Sequence, residues 1–283
     1  MSAPNEPGKA TARSPFAGCA IFICVGVMII FLMVISVVTF FRQYKEIAKF
    51  TDDKPVVVEV TPTEGREAEI NELAERLETF RQDIMDGKEA TLALSADDLN
   101  TAIAVYEPLK DLRGTLRFTE IGEKDAKIAI SFPLNGKPRR TREGEGGVIT
   151  TDHRYLNGTL TAKPELFEGE VVLQISDIQV PGKTVVREFT ERMSPHRIAE
   201  RYKTDLVLGP AMKQLTGAEI ADGKIILRRK EGEKIITSID NKQVDSASNR
   251  LFKFLGIAAS VFLAFVAVVI FITSRKKSKG EEA

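Results

Sequence analysis

The chain has 283 residues, with 40 basic and 40 acidic side chains, two histidines and two cysteines. Its charges cancel and no basic stripe is interleaved with aromatics, which excludes an ordinary nucleic-acid-binding surface. Both cysteines, Cys19 and Cys24, sit in one apolar run, so the rest of the chain can form neither a disulfide nor a cysteine metal site.

Residues 1–16 mix Pro, Gly, Ser and Ala with charge and read as a disordered tail. Residues 17–41 carry no charge. At about 1.5 Å rise per residue they cross a hydrocarbon core of roughly 30 Å as a helix. The run is longer than a secretory h-region and is followed by Phe40, Phe41 and Arg42, a poor cleavage context. Ala17-Gly18-Cys19 resembles the end of a lipoprotein signal, but the apolar run follows the cysteine rather than preceding it. The segment therefore reads as an uncleaved span. Residues 42–62 form a charged juxtamembrane linker in which Val56–Val60 predicts a short strand.

Residues 63–229 read as one domain. Ile70, Leu73, Leu77, Phe80 and Ile84 recur at spacings of three and four, predicting an amphipathic helix over 64–86 with Gly87 as its terminator. Ser95 and Asp98 have capping-box spacing for a second helix bearing Leu99 and Ile103, which Pro108 closes. The period then becomes two. Leu116 and Phe118, a turn at Gly122–Asp125, and Ile128, Ile130, Phe132 and Leu134 predict a hairpin broken at Asn135-Gly136, with a loop to Gly147. A second hairpin pairs 155–162 with 171–180. There Ile178 and Val180 have the opposite parity to Leu173 and Ile175, which requires a bulge near Ser176-Asp177. Pro181-Gly182 turns the chain. Residues 185–193 are helical, and Ser194-Pro195 reads as the cap and first position of a further helix to Lys203. Residues 224–227 give the last strand, 230–253 a tether, and 254–274 a second span before a basic and acidic tail over 275–283. The fold class is α+β: an antiparallel sheet of hairpins packed with amphipathic helices and flanked by two transmembrane helices. Basic residues nearly balance across the spans, but long loops translocate largely regardless of charge. The short tails therefore place both termini in the cytoplasm and the domain outside it.

Catalytic signals are weak. His153 and His196 have no metal-ligand spacing and suit surface or cap roles. Ser194, His196 and Asp152 can be assembled into a triad on paper, yet no Gly-x-Ser-x-Gly elbow accompanies them. Gly144–Gly147 lacks the Lys-Ser/Thr of a phosphate loop, and Asp97-Asp98 is explained by a helix start. No catalytic, cofactor or metal residue is expected. The one basic cluster of the domain, Lys137, Arg139, Arg140 and Arg142, is read as a solvated loop, or else as a contact for anionic headgroups or an acidic polymer. Asn157-Gly158-Thr159 fits a glycosylation sequon within an expected strand. In the second span Gly256, Ser260 and Ala264 recur every four residues, by chance in an Ala-rich segment or as a face for the first span or a second copy.

Leu94-Ser95-x-x-x-Leu99-Asn100, with Phe132-Pro133-Leu134-Asn135 and Tyr155-Leu156-Asn157-Gly158, resembles uncharacterised bacterial membrane-anchored envelope proteins of the YpmS type. The resemblance covers 90–227. It implies a curved antiparallel sheet over helices, outside the cytoplasm, with a groove for lipid or another apolar ligand and no catalytic residue. That family has a single N-terminal anchor, from which the second span departs. The expectation is a non-enzymatic, two-span membrane protein without a cofactor, whose domain binds lipid, polymer or protein at the envelope. The alternatives are a membrane-bound hydrolase, or an assembly subunit acting through its transmembrane helices as a homo-oligomer or with a partner membrane protein.

Overall fold

The computed structural model describes residues 15–235 and Ile239. The chain divides into two compact units, one holding residues 1–43 and 248–283, the other residues 44–247. In the first unit the described part is helix. Helix α1, Pro15–Phe50, is the one helix among the described residues long and apolar enough to cross a membrane, and no part of its apolar window is buried within the protein. It does not stop at Phe41: the charged residues expected in a linker continue the helix to Phe50. The second span, with Gly256, Ser260 and Ala264, lies outside the described residues.

The second unit is α+β, with two antiparallel sheets rather than the single sheet expected. The larger sheet has the order β2-β3-β4-β5, formed by Leu116–Ile121, Ala126–Arg140, Ile149–Phe167 and Glu170–Gln179. Cross-strand rows such as Phe118–Ile128–Leu160–Ile178 face one core. Over that core lie helix α3 (Ala96–Val105), helix α4 (Arg187–Met193) and the last turn of α1, whose Phe50 packs on Phe189 with ring centroids 4.7 Å apart. Each such buried aliphatic contributes about 1.5–3 kcal/mol relative to exposure, far above a surface ion pair at about 0–1 kcal/mol. The core, not the many surface pairs, therefore sets the fold. The smaller sheet, β1-β7-β6, comprises Ala90–Leu94, Lys224–Arg229 and Gly217–Ala221, and packs with helix α2 (Glu67–Met85) through Leu73, Phe80, Ile84, Leu92 and Leu94. A five-residue helix α5, Leu208–Met212, precedes β6.

Several ends obey local rules. Helix α2 closes on Gly87 at φ +80°, with Gly87 N–H donating to Ile84 O and Lys88 N–H to Asp83 O, a Schellman pair. Helix α3 starts on a reciprocal box: Asp98 N–H donates to Ser95 Oγ at 3.1 Å and Ser95 N–H to Asp98 Oδ2 at 2.8 Å. The expected bulge in β5 is present. Thr161 pairs with Asp177 but Ala162 with Ile175, so Ser176 is the extra residue, and Leu173, Ile175 and Ile178 are all buried.

Three expectations are corrected. Asn135-Gly136 does not end β3; a bulge there carries the strand on to Arg140. A Cβ on Gly136 would lie 2.7 Å from Asp152 O, so the glycine serves close strand approach rather than a turn. Val56–Val60 is an extended strap, not a strand, with Val58 N–H donating to Gly114 O at 3.2 Å. Ser194-Pro195 opens no long helix. His196 instead exchanges backbone bonds with Leu173 at 2.8 and 2.9 Å, covering the outer edge of β5, and only a 3-10 turn at Glu200–Tyr202 follows. The stretch read as a tether still touches the domain: Glu233 accepts from Thr216 and Arg228, and Ile239 is buried with Phe167 and Val172.

Gly158 pairs with Ile130 on the core side of β4. A Cβ there would sit 2.3 Å from Gln179 O, a backbone atom that cannot rotate away. Gly158→Ala is expected to cost about 1–3 kcal/mol in denaturant unfolding. The control Gly146→Ala, with nothing within 4 Å of the added carbon, is expected within about 0.5 kcal/mol of the parent; equal stability of the two variants would refute the packing argument.

Candidate functional site: a groove beneath the strap

The strap begins where α1 ends. Asp52 bridges Tyr155 on β4 through backbone bonds of 2.9 and 2.7 Å, and its carboxylate pairs with Lys183. That Lys183 hydrogen bond, together with one from Asn157, outweighs desolvation and holds the Asp52 carboxyl below its ordinary value. The chain then crosses the sheet face opposite the core. It is latched there by Asn157, whose amide donates to Lys54 O at 3.0 Å and to Asp52 Oδ2 at 3.1 Å. The Asn157 carbonyl accepts from Val56 N–H at 3.1 Å and from Ser131 Oγ at 2.8 Å. At the far side Arg117 donates to Glu59 O at 3.2 Å and pairs with its carboxylate at 3.1 Å.

Asn100 of α3 works in the same way on the edge of β2. Its amide donates to Phe118 O and its carbonyl accepts from Phe118 N–H, both at 2.8 Å, so one side chain stands where a neighbouring strand would. Between strap, α3 and sheet lies a groove of about 730 Å³, within the usual size range of ligand sites. Val56, Val57, Ala96, Ala129 and Pro181 give it apolar walls. Its charged rim is already paired: Glu59 with Arg117, and Asp97 with Arg66. Among its lining residues none is His, Cys or Ser, and both amides are committed to backbone. What this arrangement can do chemically is bind an apolar or extended group.

The residues singled out for chemistry fall elsewhere. Ser194 Oγ accepts Ile175 N–H at 3.0 Å; the His196 ring packs on Phe132 at 5.5 Å; Asp152 pairs with Arg139 at 2.9 Å. His196 is half-buried rather than a surface cap, and burial, aided by Arg201, holds its imidazole below the ordinary value. His153 is exposed on β4 opposite Asn135. Asp98 is taken by the capping box and by Arg76 at 3.1 Å. Among the described residues no group of three His, Cys, Asp or Glu side chains could hold a metal ion. Asn157 is buried with its amide nitrogen bonded twice, so the sequon is not an accessible glycan acceptor. A second groove between α2 and β1 is lined by Glu72, Glu75, Asp83 and Glu89 and carries no such set either.

The basic cluster is not one loop. Lys137, Arg139 and Arg140 lie on β3, and Arg142 in the turn after it. Arg139 is occupied, pairing with Glu145 at 2.7 Å and Asp152 at 2.9 Å. The Arg139 hydrogen bond, with one from the Arg142 backbone, pulls the Glu145 carboxyl from 4.5 down to about 2. The strap and its two asparagine latches escape sequence reading; their only trace is an Asn following Leu in Leu99-Asn100 and Leu156-Asn157, where a core position is expected next to a polar one. No family model, no curated protein and no solved structure matches this chain.

Proposed function

We propose that the chain is a two-span integral membrane protein, with both termini cytoplasmic, presenting an extracytoplasmic domain that binds a lipid-like envelope component without chemistry. One observation carries the reading: the groove under the strap has apolar walls, while every ionic group on its rim already has a partner, so a ligand there is recognised by shape and burial. Helix α1 supports the membrane setting by length and composition. The hydrolase alternative loses its support because Ser194, His196 and Asp152 each serve a different structural contact.

Native mass spectrometry of the full chain, released from polymer-excised membrane patches, tests the reading. A mass adduct of lipid size is expected on the parent and is expected to be lost in Ala129→Trp, which fills the groove. Alkaline carbonate extraction run in parallel should leave the chain in the membrane pellet. An adduct unaffected by Ala129→Trp, or a chain washed free, would overturn the groove and the membrane setting respectively.

A further inference from the structure

Strands β3 and β4 run well past their neighbours. The β5 pairing ends at Thr159–Gln179 and the β2 pairing at Leu116–Ile130. Beyond the Asp52–Tyr155 bridge they continue as a two-stranded ribbon from Leu134–Arg154 to Arg140–Ile149, closed by residues 141–148. Six residues at about 3.4 Å each make an arm roughly 20 Å long. Its root lies against the end of the apolar helix: Arg154 donates to Ala48 O at 3.1 Å and to Thr51 O at 2.5 Å. The arm is therefore rooted at the end of α1.

The arm has two chemically different faces, because directly opposed residues of an antiparallel pair share a face. Arg139, Thr150 and Asp152 share one, where the arginine is neutralised by Asp152 and by Glu145 from the turn. The other carries Arg140 opposite Ile149 and Pro138 opposite Thr151. Val148 and Ile149, adjacent at the tip, are 82% and 71% exposed. Lys137, Arg140 and Arg142 are exposed and hold no side-chain ion pair among the described residues. Two bare β-branched side chains at the tip of an arm that carries three exposed cations, Arg140 directly opposite Ile149 among them, match a surface that is anionic outside and apolar beneath. A purely polar acidic polymer would satisfy the cations and leave Val148 and Ile149 in water.

We infer that this arm docks on the anionic headgroups of the bilayer holding α1, with Val148 and Ile149 at the acyl boundary and Lys137, Arg140 and Arg142 on the phosphates. The inference rests on the membrane setting proposed above. Arg139, which the sequence groups with the other cations, has no part in it.

The test uses the full chain with Cys19→Ser, Cys24→Ser and Val148→Cys, labelled at residue 148 with an environment-sensitive nitrobenzoxadiazole dye. It is reconstituted into vesicles of phosphatidylcholine alone or mixed with phosphatidylglycerol, and flotation is measured on the same samples. Blue-shifted emission, quenched by shallow spin-labelled lipid, is expected only with the anionic lipid. Replacing Lys137, Arg140 and Arg142 by Gln is expected to weaken it about fivefold per cation removed, whereas Arg139→Gln, which frees Glu145 and Asp152, should not follow that series. A chain that floats with an unquenched dye, or a signal indifferent to phosphatidylglycerol and to the three cations, overturns the inference and leaves the membrane setting intact. A signal that follows protein concentration in lipid-free micelles means that a second copy covers the tip, and also overturns it. A chain that does not float sinks both readings.

Discussion

Arg197→Met should be among the more damaging single substitutions in the domain, lowering its stability by about 1–3 kcal/mol. Its partner Glu170 is the first residue of β5 and is 0% exposed, yet it is a carboxylate. Arg197 Nε donates to Glu170 Oε1 at 2.5 Å, Lys203 Nζ stands at 3.4 Å from the same oxygen, and Oε2 has no hydrogen-bond partner among the described residues. A buried pair with one oxygen already unsatisfied adds little net stability, but removing Arg197 takes away the one side-chain hydrogen bond of a fully buried carboxyl group and leaves it only the longer contact to Lys203. The asymmetry supplies the control. Glu170→Gln combined with Arg197→Met is expected to recover most of the loss, because a neutral amide is far cheaper to desolvate. Denaturant unfolding of the four members of this cycle measures it, and additive losses in the double variant would dismiss the buried-charge account. Since Arg197 follows His196, which covers the β5 edge, the single variant should also expose Leu173 N–H to hydrogen exchange ahead of global unfolding.

What the sequence discloses and what it hides divides along one physical line. Features whose cause lies within a few residues are legible. The three-four stripe of Leu73, Phe80 and Ile84 fills a core, the period-two run of Ile128 and Ile130 faces another, and the Ser95–Asp98 box and the Gly87 terminator are as their spacing predicts. Even the Ser176 bulge is readable, since the parity of buried residues must switch somewhere between Ile175 and Ile178. Features caused by distant partners leave no local mark. Val56–Val60 has strand composition, yet its fate is decided by Asn157, 101 positions away from Val56. Asn135-Gly136 carries a turn signature, yet the approach of Asp152 makes it a close-packed bulge. β1 and β6 are five residues each, and β6 reads Gly-Ala-Glu-Ile-Ala, too short and too small to show a period without the partner strand β7 between them. The groove belongs to this second class: each wall is legible alone, but their juxtaposition is not.

Asn157 is where the strap and the groove meet, and Asn157→Leu is expected to open both. The leucine matches the shape of the amide but supplies none of its four hydrogen bonds. Ser131, 2% exposed, then keeps a buried hydroxyl without its acceptor, while Lys54 O and Val56 N–H lose the partners that hold the strap to the sheet. The expected loss is about 2–4 kcal/mol, at roughly 1–3 kcal/mol per buried group left unpaired. The strap should become cleavable by protease near Val57 before the rest of the domain unfolds, and the lipid-size adduct should disappear with it. Acid should act on the same latch from its other end. The folded Asp52 carboxyl lies below its ordinary value because of Lys183 and Asn157. Its contribution is therefore present above the ordinary carboxyl range and is lost as pH falls through the lowered value. In the parent, strap cleavage should thus rise on acidification below about pH 4, and in Asn157→Leu it should begin at higher pH because one of the two bonds depressing that carboxyl is gone. Limited proteolysis across a pH series separates this from general destabilisation: Gly158→Ala weakens the neighbouring position of β4 without touching the latch, and should shift global unfolding while leaving the order of cleavage unchanged. If both variants lose the strap at the same pH, the latch is not what closes the groove.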